Sequence, residues 1–459
     1  MKLIAVLFLF TTLLAAQTGE SWYGVLEVPG QQLPLNLELT ESSGSLQSPG
    51  QSLQRIPFST LKRTVDSLFF TVNALQLSYA GKYASDSVIG TFQQATFTTQ
   101  LIFYREPPAG YAVDTSTAPA ARPQEPTDFP YVREAITFPG GEDSVTLAGE
   151  LTLPTDTLPK ALLIFVSGSG PQDRNEDLGP AINHRPFLVL SDYLTRRGYG
   201  VLRYDDRGIG ESTGDFGAAT SADFAQDARA ALRYLRDQAQ FSKVPIGILG
   251  HSEGGMIAPM VAVEDSVNFL VLLAAPGIPI DSLLLDQQRA ISGTIAPDES
   301  VRRAAYRYAK LHAMQSDTAF VGGLMDTILQ LIPSLSTEVR KSIVEPEDFA
   351  ASYVSGLSSP WMRYFLAFDP ADYLERVTVP VLAINGELDR QVTIGNLAAV
   401  GAALERAGNE EVTLVAVPGV NHLMQPAETG SPGEYGEIEV TIDPQVLEAI
   451  VSWLDARYL

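Results

Sequence analysis

Apolar and polar residues alternate along the first hundred positions of the chain. Residues 22–28 and 33–39 place apolar side chains at every second position, and residues 67–72 and 96–104 do the same. That period belongs to half-buried strands. Gly, Ser, Asn and Asp clusters separate the runs at short intervals. Residues 18–105 are therefore expected to form antiparallel hairpins in a small all-β domain, a barrel or a sandwich. Residues 106–130 are rich in Pro, Ala and Thr, which predicts an extended, stiff linker. From residue 131 the pattern changes. Continuous apolar runs at 160–166, 200–204, 246–249, 269–274, 379–384 and 412–417 read as buried parallel strands. Helical spacing occupies 187–197, 222–238, 256–263 and the closing segment 446–458. This alternation predicts an α/β domain over 131–459 with a doubly wound, mostly parallel sheet. It stops between about 278 and 372, where helical patterns broken at Pro297, Pro333, Pro346 and Pro360 predict a helical cap inserted after a strand. Such an insertion serves either as a moving lid over the strand ends or as a fixed structural cover.

The 459 residues are too many for one ordinary core. Net charge is −23, from 31 Lys and Arg against 54 Asp and Glu. That balance argues against nucleic acid or an anionic membrane as the main partner. Met1-Lys2, the apolar run from Leu3 to Leu14, and Ala15-Ala16-Gln17 read as a signal peptide over residues 1–16. The expected location is secreted or periplasmic. No cysteine is present, so neither disulfides nor a lipid on cysteine are expected. No other segment is long and apolar enough for a membrane span.

The pattern G-x-S-x-G occurs twice, at 250–254 and at 210–214. Context separates the copies. The first follows the apolar strand at 245–249 and precedes a helical run. That tight strand-to-helix turn exposes the hydroxyl of Ser252 above the sheet. The second follows Asp205-Asp206-Arg207-Gly208 and continues into polar, Gly-rich sequence, so Ser252 is favoured over Ser212. A serine hydroxyl needs a base. Of the four histidines, His251 adjoins the nucleophile and diverges from it, His312 falls in the helical insertion, and His184 lies in a polar loop. His422 follows the last strand and is the expected base. Asp389 follows the preceding strand and is the expected acid. Glu387, two residues closer to that strand, competes with it. The order Ser, Asp, His suits this kind of fold. Two backbone N–H groups are needed for the oxyanion. Glu253, after the nucleophile, supplies one. Ser169, in the loop Ser167-Gly168-Ser169-Gly170-Pro171, is assigned the other by position. No histidine pair at ligand spacing, no cysteine and no phosphate-binding glycine motif occur, so no metal and no cofactor are expected.

These residues resemble the α/β-hydrolase superfamily, in the serine esterase and aminopeptidase-like group, from about residue 131 to the end of the chain. Ser167-Gly168-Ser169-Gly170-Pro171-Gln172-Asp173-Arg174-Asn175-Glu176 is similar to bacterial esterases of the esterase D type. Arg203 to Ser212 resembles the loop that this fold carries after its next strand, which accounts for the second G-x-S-x-G. The resemblance implies short-chain carboxylesterase activity with Ser252, Asp389 and His422 as the triad. Where much of the wider fold begins its oxyanion loop with His-Gly, this chain has Ser167-Gly168. The N-terminal segment resembles leader domains of exported bacterial hydrolases.

The leading expectation is hydrolysis of a small-molecule carboxylic ester through an acyl-enzyme. A serine aminopeptidase or a thioesterase would use the same triad. An aminopeptidase would need an acidic group for the substrate amine, supplied by Glu253 or by carboxylates of the insertion. The remaining alternative is a binding protein whose function resides in residues 18–105. Acyl and alcohol specificity and oligomeric state are left open.

Overall fold

The computed structural model describes residues 19–28, 31–40, 43–49, 55–72, 77–94, 97–109, 111, 121–179, 182–343 and 346–458. The signal peptide expected at 1–16 and residues 112–120 of the linker lie outside them.

Nine strands come first: β1 (Glu20–Val28), β2 (Gln31–Leu39), β3 (Gly44–Gln47), β4 (Ile56–Pro57), β5 (Thr60–Arg63), β6 (Ser67–Val72), β7 (Leu77–Tyr83), β8 (Ser87–Gln94) and β9 (Phe97–Tyr104). They form one antiparallel sheet in the order β4-β3-β2-β1-β9-β8-β7-β6-β5. Its two edge strands are joined by only Phe58 and Ser59, whose N–H groups bond Gly44 O and Thr71 O. A flat sheet of nine strands would hold its edges about 38 Å apart, at about 4.8 Å per strand. Two connecting residues cannot span that, so the sheet rolls up. Trp22, Leu37, Phe70, Tyr79, Phe92 and Phe103 fill its interior, a core of its own.

The second sheet contains β10 (Val132–Pro139), β11 (Thr146–Leu153), β12 (Leu162–Val166), β13 (Gly200–Tyr204), β14 (Ile246–His251), β15 (Phe269–Leu273), β16 (Val381–Gly386) and β17 (Val412–Val417). Their order is β10-β11-β13-β12-β14-β15-β16-β17. The first two strands are antiparallel and the six from β13 to β17 run parallel. The hairpin β10–β11 was not foreseen. β10 is an edge strand with most of its side chains exposed, so it lacks the apolar run that marks the central strands. β12 is buried throughout and alternates between two cores: Leu162, Ile164 and Val166 point to one, Leu163 and Phe165 to the other. Burial on both faces is why the parallel strands β12 to β16 read as unbroken apolar runs.

The helices are α1 (Pro186–Thr195), α2 (Ser221–Arg236), α3 (Glu253–Glu264), α4 (Ile280–Ser292), α5 (Glu299–His312), α6 (Asp317–Leu331), α7 (Thr337–Ser342), α8 (Pro346–Leu357), α9 (Pro360–Ala367), α10 (Ala371–Leu374), α11 (Gly395–Arg406) and α12 (Pro444–Tyr458). α1 and α12 cover one face of the sheet, and α2, α3 and α11 cover the other. Pro346 and Pro360 open helices instead of interrupting them, because a helix's first turn has no N–H partner to lose. The inserted helices α4–α9 share a single core with the sheet: Ala305, Phe320, Leu324 and Phe365 belong to the same cluster as Ile248 and Leu270. The insertion is thus a packed cap. Its α8 lies against β7 of the first sheet.

The described end of the linker, 121–130, is docked. Arg122 is buried and donates to the carbonyls of Ile182, Tyr435 and Ile438. Gln124 donates to Ile442 O and accepts from the N–H groups of Thr441 and Ile442. Among the described residues no helix is long and apolar enough to cross a membrane, and no three His, Cys, Asp or Glu residues are grouped to hold a metal ion.

Candidate active site

The carboxyl ends of β12, β14, β16 and β17 converge on one edge of the sheet. Ser252 sits between β14 and α3 with φ 52° and ψ −115°. A non-glycine residue there carries strain of about 1–3 kcal/mol. The turn is held by the N–H of Ser252 on Leu273 O (2.9 Å) and by Gly255 N–H on Ser252 O (2.8 Å). The flanking glycines are obligatory. A Cβ on Gly250 would lie 2.0 Å from Gly254 O, and one on Gly254 would lie 2.1 Å from Val166 O. A bare backbone is the only way for the helix to leave the strand so closely.

Asp389 lies in the loop after β16, and His422 in the loop after β17. Both are buried, and His422 Nδ1 is 2.9 Å from Asp389 Oδ2. The other oxygen, Oδ1, accepts the N–H groups of Gln391 and Val392, each at 2.8 Å. Every partner of the carboxylate is a donor, so the proton between it and the imidazole resides on Nδ1. That leaves the Nε2 lone pair of His422 free to take a proton. Among the described residues neither Ser252 Oγ nor His422 Nε2 has a hydrogen-bond partner. A nucleophile–base bond of this kind commonly tightens only once substrate is bound. The competitor Glu387 is exposed, and only its backbone is engaged, on Val417 O.

The other histidines are occupied elsewhere. His312 ends α5 in the cap, its ring tilted against Tyr308 at 4.3 Å between centroids. His184 is fully buried. His251 binds Glu176 and the backbone of His422. Ser212, from the second G-x-S-x-G, is buried. Its hydroxyl donates to Asp205 O (2.7 Å) and accepts from Ala148 N (2.9 Å), which makes it a structural bolt between that loop and β11.

In the loop after β12, the N–H of Gly168 is taken by Glu176 Oε1 at 2.7 Å. The N–H groups of Ser169 and of Glu253, the first residue of α3, have no acceptor among the described residues. Positive partial charge at a helix N-terminus adds to the pull on an anion at Glu253 N–H. The Glu253 side chain turns away from the nucleophile. Its Oε1 accepts from Ser221 Oγ (2.6 Å) and from Trp361 Nε1 of α9 (2.9 Å). Burial raises its pKa, and those two hydrogen bonds only partly offset the effect.

A model of the alpha/beta hydrolase family matches residues 163–431, a stretch that holds Ser252, Asp389 and His422. The chain belongs to the alpha/beta hydrolase family. The chain is 27% identical over 309 residues to Esterase EstD of Thermotoga maritima, across 67% of its own length and 65% of that protein. It thus spans just under two thirds of that relative. It is also similar to solved structures of an esterase from Pyrococcus furiosus (17% identity, TM-score 0.44, 73% of this chain and 94% of that one) and of a thermophilic esterase from Thermogutta terrifontis (18% identity, TM-score 0.40, 71% and 100%).

Two residues of the site were not anticipated. Trp361 ties the cap to Glu253, and Glu176 joins Gly168 of the loop after β12 to His251. The position of His251, directly before the nucleophile at the end of a buried strand, was the one signal that a partner for it had to exist.

Proposed function

We infer that this protein is an exported serine hydrolase that cleaves small carboxylic esters through an acyl-enzyme. The observation that carries the reading is the Asp389–His422 hydrogen bond, at the same sheet edge as the strained turn bearing Ser252. Ser252 Oγ attacks the ester carbonyl while His422 Nε2 takes its proton. The oxyanion develops against the N–H groups of Ser169 and Glu253. His422 returns the proton to the leaving alcohol. Water then attacks the acyl-enzyme by the same route in reverse. Asp389 keeps the proton on Nδ1 and stabilises the imidazolium. The name of the Thermotoga maritima relative supports ester over amide as the bond cleaved. The surroundings of Glu253 favour the same choice. A buried carboxyl whose Oε1 is already bonded twice is poorly suited to bind a substrate amine, as an aminopeptidase would require.

Turnover of p-nitrophenyl acetate, labelling by a fluorophosphonate, and loss of both in Ser252→Ala are the expected results. Cleavage of aminoacyl nitroanilides without cleavage of the ester would overturn the ester assignment. Export is read from residues 1–16, and the intact mass of the protein recovered outside the cytoplasm tests cleavage after Ala16.

A further inference from the structure

The turn after the oxyanion loop carries a carboxylate that this reaction scheme does not use. Glu176 is 3% exposed, and its φ of 54° lies in the left-handed region, which a residue with a long side chain enters at a cost. The turn is bolted down on all sides. Asp173 Oδ1 accepts the N–H groups of Asn175 (2.9 Å) and Asp177 (3.0 Å). Arg174 forks onto Asp205 at 2.9 and 2.6 Å, and Asn175 accepts from Arg203 of β13. The turn so fixed aims the Glu176 side chain under the nucleophile.

There, Glu176 Oε1 accepts Gly168 N–H at 2.7 Å and meets His251 Nδ1 at 2.8 Å. On the other side of the ring, His251 Nε2 lies 3.0 Å from His422 O. The protons can be counted. A carbonyl only accepts, so Nε2 carries a proton. Glu176, as a carboxylate, offers only acceptors, and in that state Nδ1 carries one too and His251 is an imidazolium between a carboxylate and a carbonyl. Burial opposes that charge, but Glu176, the His422 carbonyl and the more distant Asp389 outweigh it and raise the pKa of His251. The other groups facing it are the His422 ring, at 5.0 Å between centroids, and the buried His184. Burial, Arg122 and His251 itself keep His184 neutral.

We propose that Glu176 and His251 are a positioning pair that sets the oxyanion loop through Gly168 N–H and the base through His422 O at the same time. The proposal rests on the hydrolase reading above. Neither residue touches the reacting atoms, but each holds a neighbour of one that does. Gly168 precedes the donor Ser169, and a Cβ on it would lie 3.3 Å from Ser252 Cβ and 3.2 Å from Glu176 Oε1, so the three are stacked without slack. Displacing such groups by about 1 Å costs about 10²-fold in rate. The pair also has a pH signature. A histidine whose folded pKa is raised keeps its charge below that value and loses it as pH rises through it. Loss of the charge loosens both loops, which gives kcat an alkaline limb.

The test measures kcat and KM for p-nitrophenyl acetate against pH, per fluorophosphonate-titrated site so that misfolded protein is not counted. Glu176→Gln keeps an acceptor for Gly168 but removes the charge. Its alkaline limb should move to lower pH, with kcat changing more than KM. His251→Asn retains the Nδ1 side and His251→Gln the Nε2 side. Each should lose about 10²-fold in kcat, and neither should keep the alkaline limb. In the Ser252→Ala protein, ¹⁵N NMR should show both nitrogens of His251 protonated at neutral pH, and one protonated when Glu176→Gln is added. A neutral His251 ring, or a Glu176→Gln profile that superimposes on wild type, overturns the proposal. The NMR arm needs no turnover, so it decides the pair even if no ester is hydrolysed, a result that would sink only the hydrolase reading.

Discussion

Replacing Asp389 by Asn changes one atom in the site and reverses one proton. The amide oxygen can still accept the N–H groups of Gln391 and Val392, which now hold Oδ1 at 2.8 Å. The loop therefore keeps its shape. The amide nitrogen then occupies the Oδ2 position, 2.9 Å from His422 Nδ1, and it is a donor. To meet a donor, Nδ1 must present its lone pair, so the proton moves to Nε2 and the lone pair that should take the Ser252 proton is gone. In serine hydrolases this inversion costs about 10⁴-fold in kcat, equivalent to about 5 kcal/mol of transition-state stabilisation. Stability should change little, because both backbone donors remain satisfied. Asp389→Ala is different: it orphans both N–H groups as well, at about 1–3 kcal/mol for the buried one, that of Val392. The assay is kcat for p-nitrophenyl acetate, with urea unfolding in parallel. Glu387→Gln, at an exposed position, is the control and should behave as wild type. An Asp389→Asn enzyme within tenfold of wild type, or a Glu387→Gln enzyme as damaged as Asp389→Asn, would refute the assignment of the acid.

Two further outcomes follow from buried polar groups. Ser212→Ala should leave kcat per titrated site unchanged but lower stability by about 1–3 kcal/mol in urea unfolding, because it strands the N–H of Ala148; loss of activity without loss of stability would restore Ser212 as a rival nucleophile. Glu253→Gln should gain stability relative to wild type as pH rises, because the unfolded chain ionises Glu253 near 4.5 while burial holds the folded group above that value. Within that window the folded state binds more protons than the unfolded state, so wild-type stability falls with rising pH. Urea titrations from pH 4 upward should show the gap widening from about pH 4.5, and a constant gap would exclude the mechanism.

The parts of the fold that sequence made legible are those where burial leaves a pattern. The five parallel strands from β12 to β16 were visible because both of their faces are covered, and β17, an edge strand, because it still carries an apolar run. β10 was not, because its exposed side chains leave no such run. The rolled sheet was expected as a barrel or sandwich, but its closure depends on two residues, Phe58 and Ser59, whose role is invisible without the strand order. At the candidate site, the glycines around Ser252 encode a close approach of backbones, and that constraint is local enough to read. The Glu176–His251 contact spans 75 positions and joins two ordinary-looking polar residues. Nothing in spacing or composition links them. The docking of Arg122 and Gln124 was hidden in the same way, since a proline-rich stretch looks alike whether it is free or fastened.

The distribution of cores also says which pieces of this chain are separable as building blocks. The helices α4–α9 interrupt the alternation of strands and helices, yet their interior is the interior of the sheet. Phe320, Leu324 and Phe365 belong to the same apolar cluster as Ile248 and Leu270. A graft that carried these helices to another scaffold would cut through one continuous core. The rolled sheet at residues 20–104 is the opposite case. It encloses its own aromatics, so it can be exchanged between chains, or lost, while the hydrolase interior stays intact. The first sheet carries its own core and meets the rest at the α8–β7 contact, whereas the cap and the second sheet must change together, residue against residue.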